Sequence, residues 1–222
     1  MDIHAPIRAF LQQQSIVFLS PSGSGAGMRA LRAPPSPGAS AFAKASADMP
    51  RPPLPEGEGI IKAGVVPFLR DPLRFYLMKP VARHAGLPPP EFQICKGTRM
   101  MKIGGQWQDI VSSPAAGMEI ESLAETALRE GIEELGLTLE NIRRLFDLGA
   151  YTFVSAKTGR EKRMWLFAAE MASEEFSGEA ADTTAGRGWL SFKEFMAAGR
   201  NDNKPILMDI NNKLNNCSVY RP

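Results

Sequence analysis

The chain has 222 residues, 44% of them hydrophobic and 23% charged, which suits one soluble globular domain with some additional chain. Its net charge of +2 is too small to favour a nucleic-acid partner but is compatible with an anionic small molecule. Two cysteines and no apolar run near the roughly 20 residues of a membrane span exclude a disulfide scaffold, a Cys-x-x-Cys zinc site and a transmembrane helix.

Residues 1–59 are predicted to form a flexible, disordered extension with a short helix around Ile7–Gln14. Residues 21–59 are roughly one-third Pro plus Gly and have almost no bulky apolar side chains, so burial cannot offset the entropy cost of ordering them. A functional tail, such as an adaptor for a partner, and translated upstream DNA both explain such a segment. The apolar run at residues 16–19 is too short for a signal peptide, and we expect a cytoplasmic protein.

Residues 60–222 are predicted to form the folded domain. The first strands are expected at residues 63–69 and 74–78, joined by a turn at Asp71-Pro72, and Pro67 indicates an edge position or a bulge. A short strand at residues 92–95 leads into Lys96-Gly97. Residues 98–120 lack periodicity and are predicted to be a long loop.

The central helix has signals at both ends. Ser122 and Glu125 fit a capping box, and Gly136 stands where a left-handed C-terminal cap is expected. Apolar residues recur between them at helical spacing, so the sequence predicts a helix from Leu123 to Leu135.

Strands are then predicted at residues 145–154, 163–171 and 188–191, and helices at 192–198 and 205–214. This order of elements favours an α/β (α+β) fold, in which a mixed β-sheet is sandwiched between helices.

The polar face of the central helix carries the candidate chemistry. Glu130, Glu133 and Glu134 stand at positions i, i+3 and i+4, so their carboxylates emerge close together and repel one another. A hard cation such as Mg²⁺ reverses that repulsion. Glutamate-rich helix faces usually mark only a solvated surface, and the three residues alone favour that explanation.

The wider pattern around these glutamates is more specific. Glu121, Arg129-Glu130, Glu133-Glu134 and Gly136-Leu137 match the second part of the Nudix box, G-x5-E-x7-R-E-U-x-E-E-x-G-U. The sequence therefore resembles the Nudix hydrolase family. The segments at residues 92–97 and 189–194 are similar to the strand and Lys-Gly entry, and to the aromatic-led strand and helix, of that family.

The match departs from the family pattern at two positions. Ala115 stands where the first glycine of the box is expected, and Gly97 is the nearest equivalent, which implies an insertion of roughly eighteen residues. Gly131 replaces a bulky aliphatic residue, and we expect close packing of the helix against the sheet there.

The resemblance implies a metal-dependent pyrophosphohydrolase that cleaves a nucleoside diphosphate linked to another group. Glu130 and Glu134 would be the principal ligands of Mg²⁺ or Mn²⁺, with Glu133 assisting as a ligand or orienting water, and Arg129 would orient a carboxylate. Glu121 and Gly136 would belong to the structural part of the motif. An acid from a later loop often joins such a site, and Glu179 and Asp182 are the two candidates.

Residues outside the helix could contact the substrate. We expect phosphate contacts from Lys96, Gly97, Arg99 and Arg163, although isolated basic residues beside strands are more often solvated. Trp165, Phe167 and Trp189 could stack on a base but are more often core residues.

The substrate and the oligomeric state stay open. ADP-ribose, dinucleoside polyphosphates, nucleoside triphosphates and capped RNA ends all fit the chemistry, and a homodimer is compatible with the sequence. A catalytically silent Nudix-fold module that binds a nucleotide or a protein is the alternative, favoured by the missing glycine at Ala115 and by the insertion.

Overall fold

The computed structural model describes residues 3–19, 62–81, 90–110, 117–154, 159, 161–176, 178–179 and 184–217. The helices in these ranges are α1 His4–Gln13, α2 Leu123–Leu135, α3 Phe192–Ala198 and α4 Lys204–Asn216, with a 3₁₀ turn at Leu139–Asn141. The strands are β1 Val17–Phe18, β2 Lys62–Leu69, β3 Arg74–Pro80, β4 Cys95–Thr98, β5 Met100–Ile103, β6 Gln106–Asp109, β7 Ile142–Val154, β8 Glu161–Met171 and β9 Thr184–Ser191.

Seven of the strands form one mixed sheet in the order β1-β7-β8-β2-β3-β9, with β4 also paired to β2. The pairs β1–β7 and β2–β8 are parallel, and the other pairs are antiparallel. Strands β5 and β6 form a separate hairpin. The sheet is therefore mixed, as the order of elements predicted.

Helices cover both faces of this sheet because the buried side chains of its strands alternate. On β2, Ala63 and Val65 pack beneath α2, whereas Val66 and Phe68 join the core cluster that contains residues of α3 and α4. The predicted sandwich of a mixed sheet between helices is confirmed.

Strand β2 lies inside the sheet, so of the two alternatives predicted from Pro67, an edge position or a bulge, the edge position is wrong. On one side Pro67 is opposite Ala169 of the parallel strand β8. On its other side, β2 pairs with β4 at residues 62–65 and with β3 at residues 68–69. Pro67 therefore lies between these two pairings. A residue without an N–H is tolerated at that gap.

The N-terminal residues differ from the expected flexible extension. Residues 4–13 form α1, close to the predicted short helix, and β1 pairs with β7. Ile7 has no exposed surface and packs in the cluster beneath α2. The physical reason is that α1 contributes apolar side chains that the Pro-rich stretch lacks. The remainder of the predicted extension lies outside the described residues.

The predicted long loop at residues 98–120 contains the β5–β6 hairpin. Its turn is Gly104-Gly105, where φ is +57° and +84°, values that favour glycine at both positions of a two-residue hairpin loop. The Gly104-Gly105 pair between two short segments is typical of a β-hairpin, and the interpretation of these residues as a loop did not use it. In the described part of the chain, no helix combines the length and apolar character needed to cross a membrane.

Candidate active site

Helix α2 begins and ends at the predicted residues. Ser122 accepts a hydrogen bond from the Glu125 backbone, and the Glu125 side chain accepts one from the Ser122 backbone, which completes the capping box. Gly136 has φ +70°, and a Cβ there would lie 2.2 Å from the carbonyl oxygen of Gly178. Only glycine fits this position, so the glutamates stand on a helix whose ends are both fixed.

Gly131 allows α2 to lie close to the sheet, as expected. A Cβ at this position would be 2.7 Å from Cγ1 of Val65 on β2. A bulky aliphatic side chain at this position would therefore collide with β2.

Glu121 is a wholly buried carboxylate just before α2. It accepts hydrogen bonds from Nε of Arg129 at 2.7 Å, from the Met100 backbone at 2.8 Å and from Oγ1 of Thr126 at 2.9 Å. Burial alone would raise the pKa of Glu121, but the bonds and the charge of Arg129 outweigh it and hold that pKa below its usual value.

Arg129 connects this buried carboxylate to the glutamates of the helix. Its Nη1 atom lies 2.8 Å from both Oε1 of Glu130 and Oε2 of Glu133, and its Nη2 donates to the Thr98 carbonyl at 2.8 Å. Although burial lowers the pKa of an arginine, these anionic partners raise that of Arg129. The guanidinium is thus a fixed cation that orients two carboxylates.

The carboxylate of Glu130 is nearly buried beside the backbone of β4. A Cβ on Gly97 would lie 1.7 Å from Oε1 of Glu130, so glycine leaves the space that this side chain fills. The pKa of Glu130 is raised to about 7, mainly by desolvation; Arg129 opposes this shift, and the charges of Glu134 and Glu133 add to it. Glu130 therefore carries the unfavourable charge density that a cation would relieve.

Glu134 lies one turn further along α2, next to the other end of β4. Burial raises its pKa, whereas a hydrogen bond from the Cys95 thiol and the nearby charge of Lys96 lower it. Cys95 is buried, as predicted, and burial followed by the charge of Glu134 raises the pKa of its thiol. No local sequence pattern indicates this thiol–carboxylate contact.

The arrangement meets part of what a metal site requires. Among the described residues, no three His, Cys, Asp or Glu side chains are grouped so that they could hold one ion. Arg129 engages one oxygen each of Glu130 and Glu133. The donor type is nevertheless that of Mg²⁺ or Mn²⁺, because carboxylate oxygens are the ligands that these ions prefer.

The predicted substrate-contacting residues lie in different surroundings. Lys96 donates to the Ile94 carbonyl at 3.3 Å, and burial, followed by the charge of Arg200, lowers its pKa to about 8. Arg99 donates to the backbone carbonyl of Glu121. Arg163 is half-buried near the start of β8, and Gly97 is buried on β4 against Glu130.

The aromatic candidates pack within the domain. Phe167 is 3% exposed and belongs to the core cluster beneath α2. Trp165 donates from its indole nitrogen to Asp147, and Trp189 donates to the Glu174 carbonyl and packs against Tyr76 and Phe176. These contacts are those of core and near-core residues.

Of the two candidate acids from the later loop, Glu179 lies within the described residues. Glu179 is exposed and follows Gly178, whose N–H donates to the Gly136 carbonyl at the end of α2. It is therefore close in sequence to a contact with the glutamate helix. Asp182 lies outside the described residues.

His4 is a partner of the site that sequence interpretation missed. Its Nε2 atom lies 2.8 Å from Oε1 of Glu121, a residue 117 positions later in the chain, and its ring is buried. No local pattern links two residues at that separation.

Comparison with known proteins gives a family match to this region. The model described as "NUDIX domain" matches residues 94–210, more than half of the chain and including all of α2. Among curated proteins, no sequence matches this chain.

Several solved structures have a backbone similar to that of this chain. The NUDIX domain of Shewanella oneidensis NrtR complexed with ADP ribose is 15% identical, with a TM-score of 0.49 over 78% of this chain and 97% of that one. A C. elegans Ap4A hydrolase binary complex is 17% identical, with a TM-score of 0.48 over 70% and 98%. A NUDIX hydrolase from Nitrosomonas europaea is 15% identical, with a TM-score of 0.48 over 74% and 97%.

Proposed function

The chain belongs to the Nudix family, and we propose that it is a metal-dependent pyrophosphohydrolase that cleaves a nucleoside diphosphate linked to another group. Glu130 and Glu134 would be the principal ligands of Mg²⁺ or Mn²⁺, with Glu133 assisting. The bound metal would neutralise phosphate charge and lower the pKa of a water molecule.

The observation that carries this proposal is the burial of Glu130 among other carboxylates. Arg129 does not offset this burial, since the pKa of Glu130 is raised to about 7 with the guanidinium in place, and the ionised acid destabilises the folded chain unless a further cation or a proton compensates. Structural roles rarely require such a group, whereas a metal ligand or a proton acceptor does.

Different residues of the chain would have different roles in the proposed hydrolysis. Arg129 would hold Glu130 and Glu133 in fixed orientations, and Glu133, which is exposed, would accept a proton from the attacking water. Lys96 and Arg163 would meet substrate phosphates. Glu179 and Asp182 both stay candidates for an additional acid from the later loop.

The test is a substrate panel with and without divalent metal. Purified protein is incubated with ADP-ribose, dinucleoside polyphosphates, nucleoside triphosphates and capped RNA, and nucleotide and phosphate release are measured in Mg²⁺, Mn²⁺ or EDTA. We expect metal-dependent release from at least one compound, and a loss of about 100-fold or more in Glu130→Gln and Glu134→Gln with the fold intact.

Glu140→Gln is the matched control, because this glutamate is exposed on the 3₁₀ turn that follows α2. It should retain wild-type turnover. Equal activity in all three variants would contradict the assignment of the helix glutamates.

One observation favours a second candidate, a catalytically silent Nudix-fold module that binds a nucleotide or a protein. Arg129 pairs with Glu130 and Glu133, and the described residues hold no ready group of three metal ligands. Calorimetry with Mg²⁺ and ADP-ribose separates the two candidates. Binding without product release would favour the silent module.

A further inference from the structure

Helix α1 packs beside the first turns of α2, although some 110 residues separate them in the sequence. Ile7 is fully buried with Ala127 and Leu128 of α2. The following strand, β1, continues the sheet by pairing Val17 with Phe146. The N-terminal residues that the structure describes are therefore part of the same folded unit as the candidate site.

The polar contacts of α1 are directed at the start of the glutamate helix. Nε2 of His4 lies 2.8 Å from Oε1 of Glu121. Arg8 forms ion pairs with Glu125, the capping-box residue of α2, and with Glu119. Because a carboxylate only accepts hydrogen bonds, the His4 tautomer that satisfies this contact carries its proton on Nε2.

The inserted hairpin also contacts His4. The His4 ring stacks on Trp107 of β6, with 4.0 Å between ring centroids and an interplanar angle of 18°. The guanidinium carbon of Arg8 lies 5.3 Å from the centroid of the same indole. His4 thus contacts both the hairpin and the buried carboxylate of Glu121.

We propose that His4 is a positioning residue for the carboxylates of the candidate active site. Its bond holds Oε1 of Glu121, the same oxygen that binds Nε of Arg129 at 2.7 Å. Arg129 then holds Glu130 and Glu133. The N-terminal helix thereby acts on the proposed metal ligands through two successive ion pairs, and its catalytic consequence rests on the proposed function.

The physical reason is the cost of an under-satisfied buried carboxylate. Without His4, Glu121 loses one donor in a site that water does not reach, so its carboxylate is expected to turn toward its remaining donors. Arg129 would follow, because its Nε bonds to the same oxygen. A role limited to packing predicts no such movement of Arg129, and Ile7, which is fully buried and has no polar side-chain atom, provides the comparison for packing alone.

Three full-length variants separate positioning from packing: His4→Ala, His4→Gln and Ile7→Ala. We expect His4→Ala to lower kcat about tenfold with little change in KM, because it disturbs groups that act in the reaction. Glutamine can place an amide donor near the position of Nε2, so His4→Gln should recover most of kcat. Ile7→Ala should lower Tm at least as much as His4→Ala but retain kcat below the transition.

A second measurement reports on Arg129 without any substrate or metal. In a ¹⁵N spectrum, the Nε–H signal of Arg129 is identified by its absence in Arg129→Lys. His4→Ala should shift this signal and Ile7→Ala should not. If the two variants affect both kcat and the Arg129 signal alike, the positioning role is overturned.

The two readouts also separate this inference from the proposed function. An inactive wild type that binds no metal would reject the pyrophosphohydrolase, while a shifted Arg129 signal in His4→Ala would still support the positioning role. An active wild type with an unshifted signal and unchanged kcat in His4→Ala would reject only the role of His4.

Discussion

Gly97 lies directly against the carboxylate of Glu130: a Cβ at this glycine would lie 1.7 Å from Oε1 and 1.8 Å from Cδ of the glutamate. Strand β4 thus limits where the carboxylate of Glu130 can lie. Gly97, the nearest equivalent of the first glycine of the motif, is thus adjacent to the proposed metal ligand Glu130. The hairpin β5–β6 separates the two residues in the sequence.

Gly97→Ala should reduce activity far more than stability. The new methyl group meets the end of a flexible side chain, so Glu130 can rotate away while the strand stays in place. We expect kcat to fall about 100-fold, the size of effect that a misplaced catalytic group produces, with a small change in Tm. Activity assays beside thermal unfolding measure the two effects.

Gly188→Ala is the matched control on β9, because a Cβ there meets no atom within 4 Å. It should leave kcat unchanged. Equal activity in Gly97→Ala and Gly188→Ala would mean that the position of Glu130 is not set by Gly97.

Gly131→Ala should destabilise the protein although alanine favours a helix by about 1 kcal/mol over glycine. The added methyl group would lie 2.7 Å from Cγ1 of Val65, and overpacking of this kind costs about 1–3 kcal/mol. Denaturant unfolding of Gly131→Ala, Val65→Ala and the double variant tests this. The double variant should be more stable than the sum of the single changes predicts, and additivity would contradict close packing as the cause.

The sequence predicted the central helix because its signals are local. Ser122 and Glu125 mark its start and Gly136 marks its end. The spacing of Glu130, Glu133 and Glu134 places them on a common face. The mixed sheet between helices also followed from the order of the elements.

The contacts that the sequence did not predict are those between distant segments. The bond from His4 to Glu121 and the two-residue pairing of β1 with β7 depend on tertiary packing, which has no periodic signal. The thiol of Cys95 was recognised as buried, but its contact with Glu134 depends on the register between β4 and α2. Local patterns therefore predicted the helix that carries the site, whereas the contacts of His4 and Cys95 with its glutamates depend on tertiary packing.

Arg129→Lys should weaken both folding and turnover. Lysine keeps the charge but has one compact ammonium group, which cannot reproduce the fork that binds Glu121, Glu130, Glu133 and the Thr98 carbonyl. We expect the loss to reach about 3 kcal/mol of unfolding free energy, since a buried carboxylate is left poorly paired, and kcat to fall at least about tenfold. Arg143→Lys, at an exposed position, is the control and should change neither quantity.

The raised pKa of Glu130 predicts how the stability of the metal-free protein depends on pH. The folded-state pKa of about 7 lies above the ordinary value of 4.5, so folding favours the protonated acid. The stability contributed by this group is present below about pH 4.5 and is lost as the pH rises toward and through about 7. Relative to Glu130→Gln, the wild type in EDTA should lose about 1–3 kcal/mol of unfolding free energy between pH 5 and pH 8.

Denaturant titrations at several pH values measure that difference, with Glu140→Gln as the control because this glutamate is exposed on the 3₁₀ turn and is not one of the carboxylates that act on Glu130. Its curve should run parallel to that of the wild type. Saturating Mg²⁺ should remove most of the loss at pH 8, since a cation that binds the ionised Glu130 stabilises the folded state by mass action. Parallel curves for wild type and Glu130→Gln in EDTA would show that burial does not raise the pKa of this glutamate, and the charge argument for a cation at α2 would then fail.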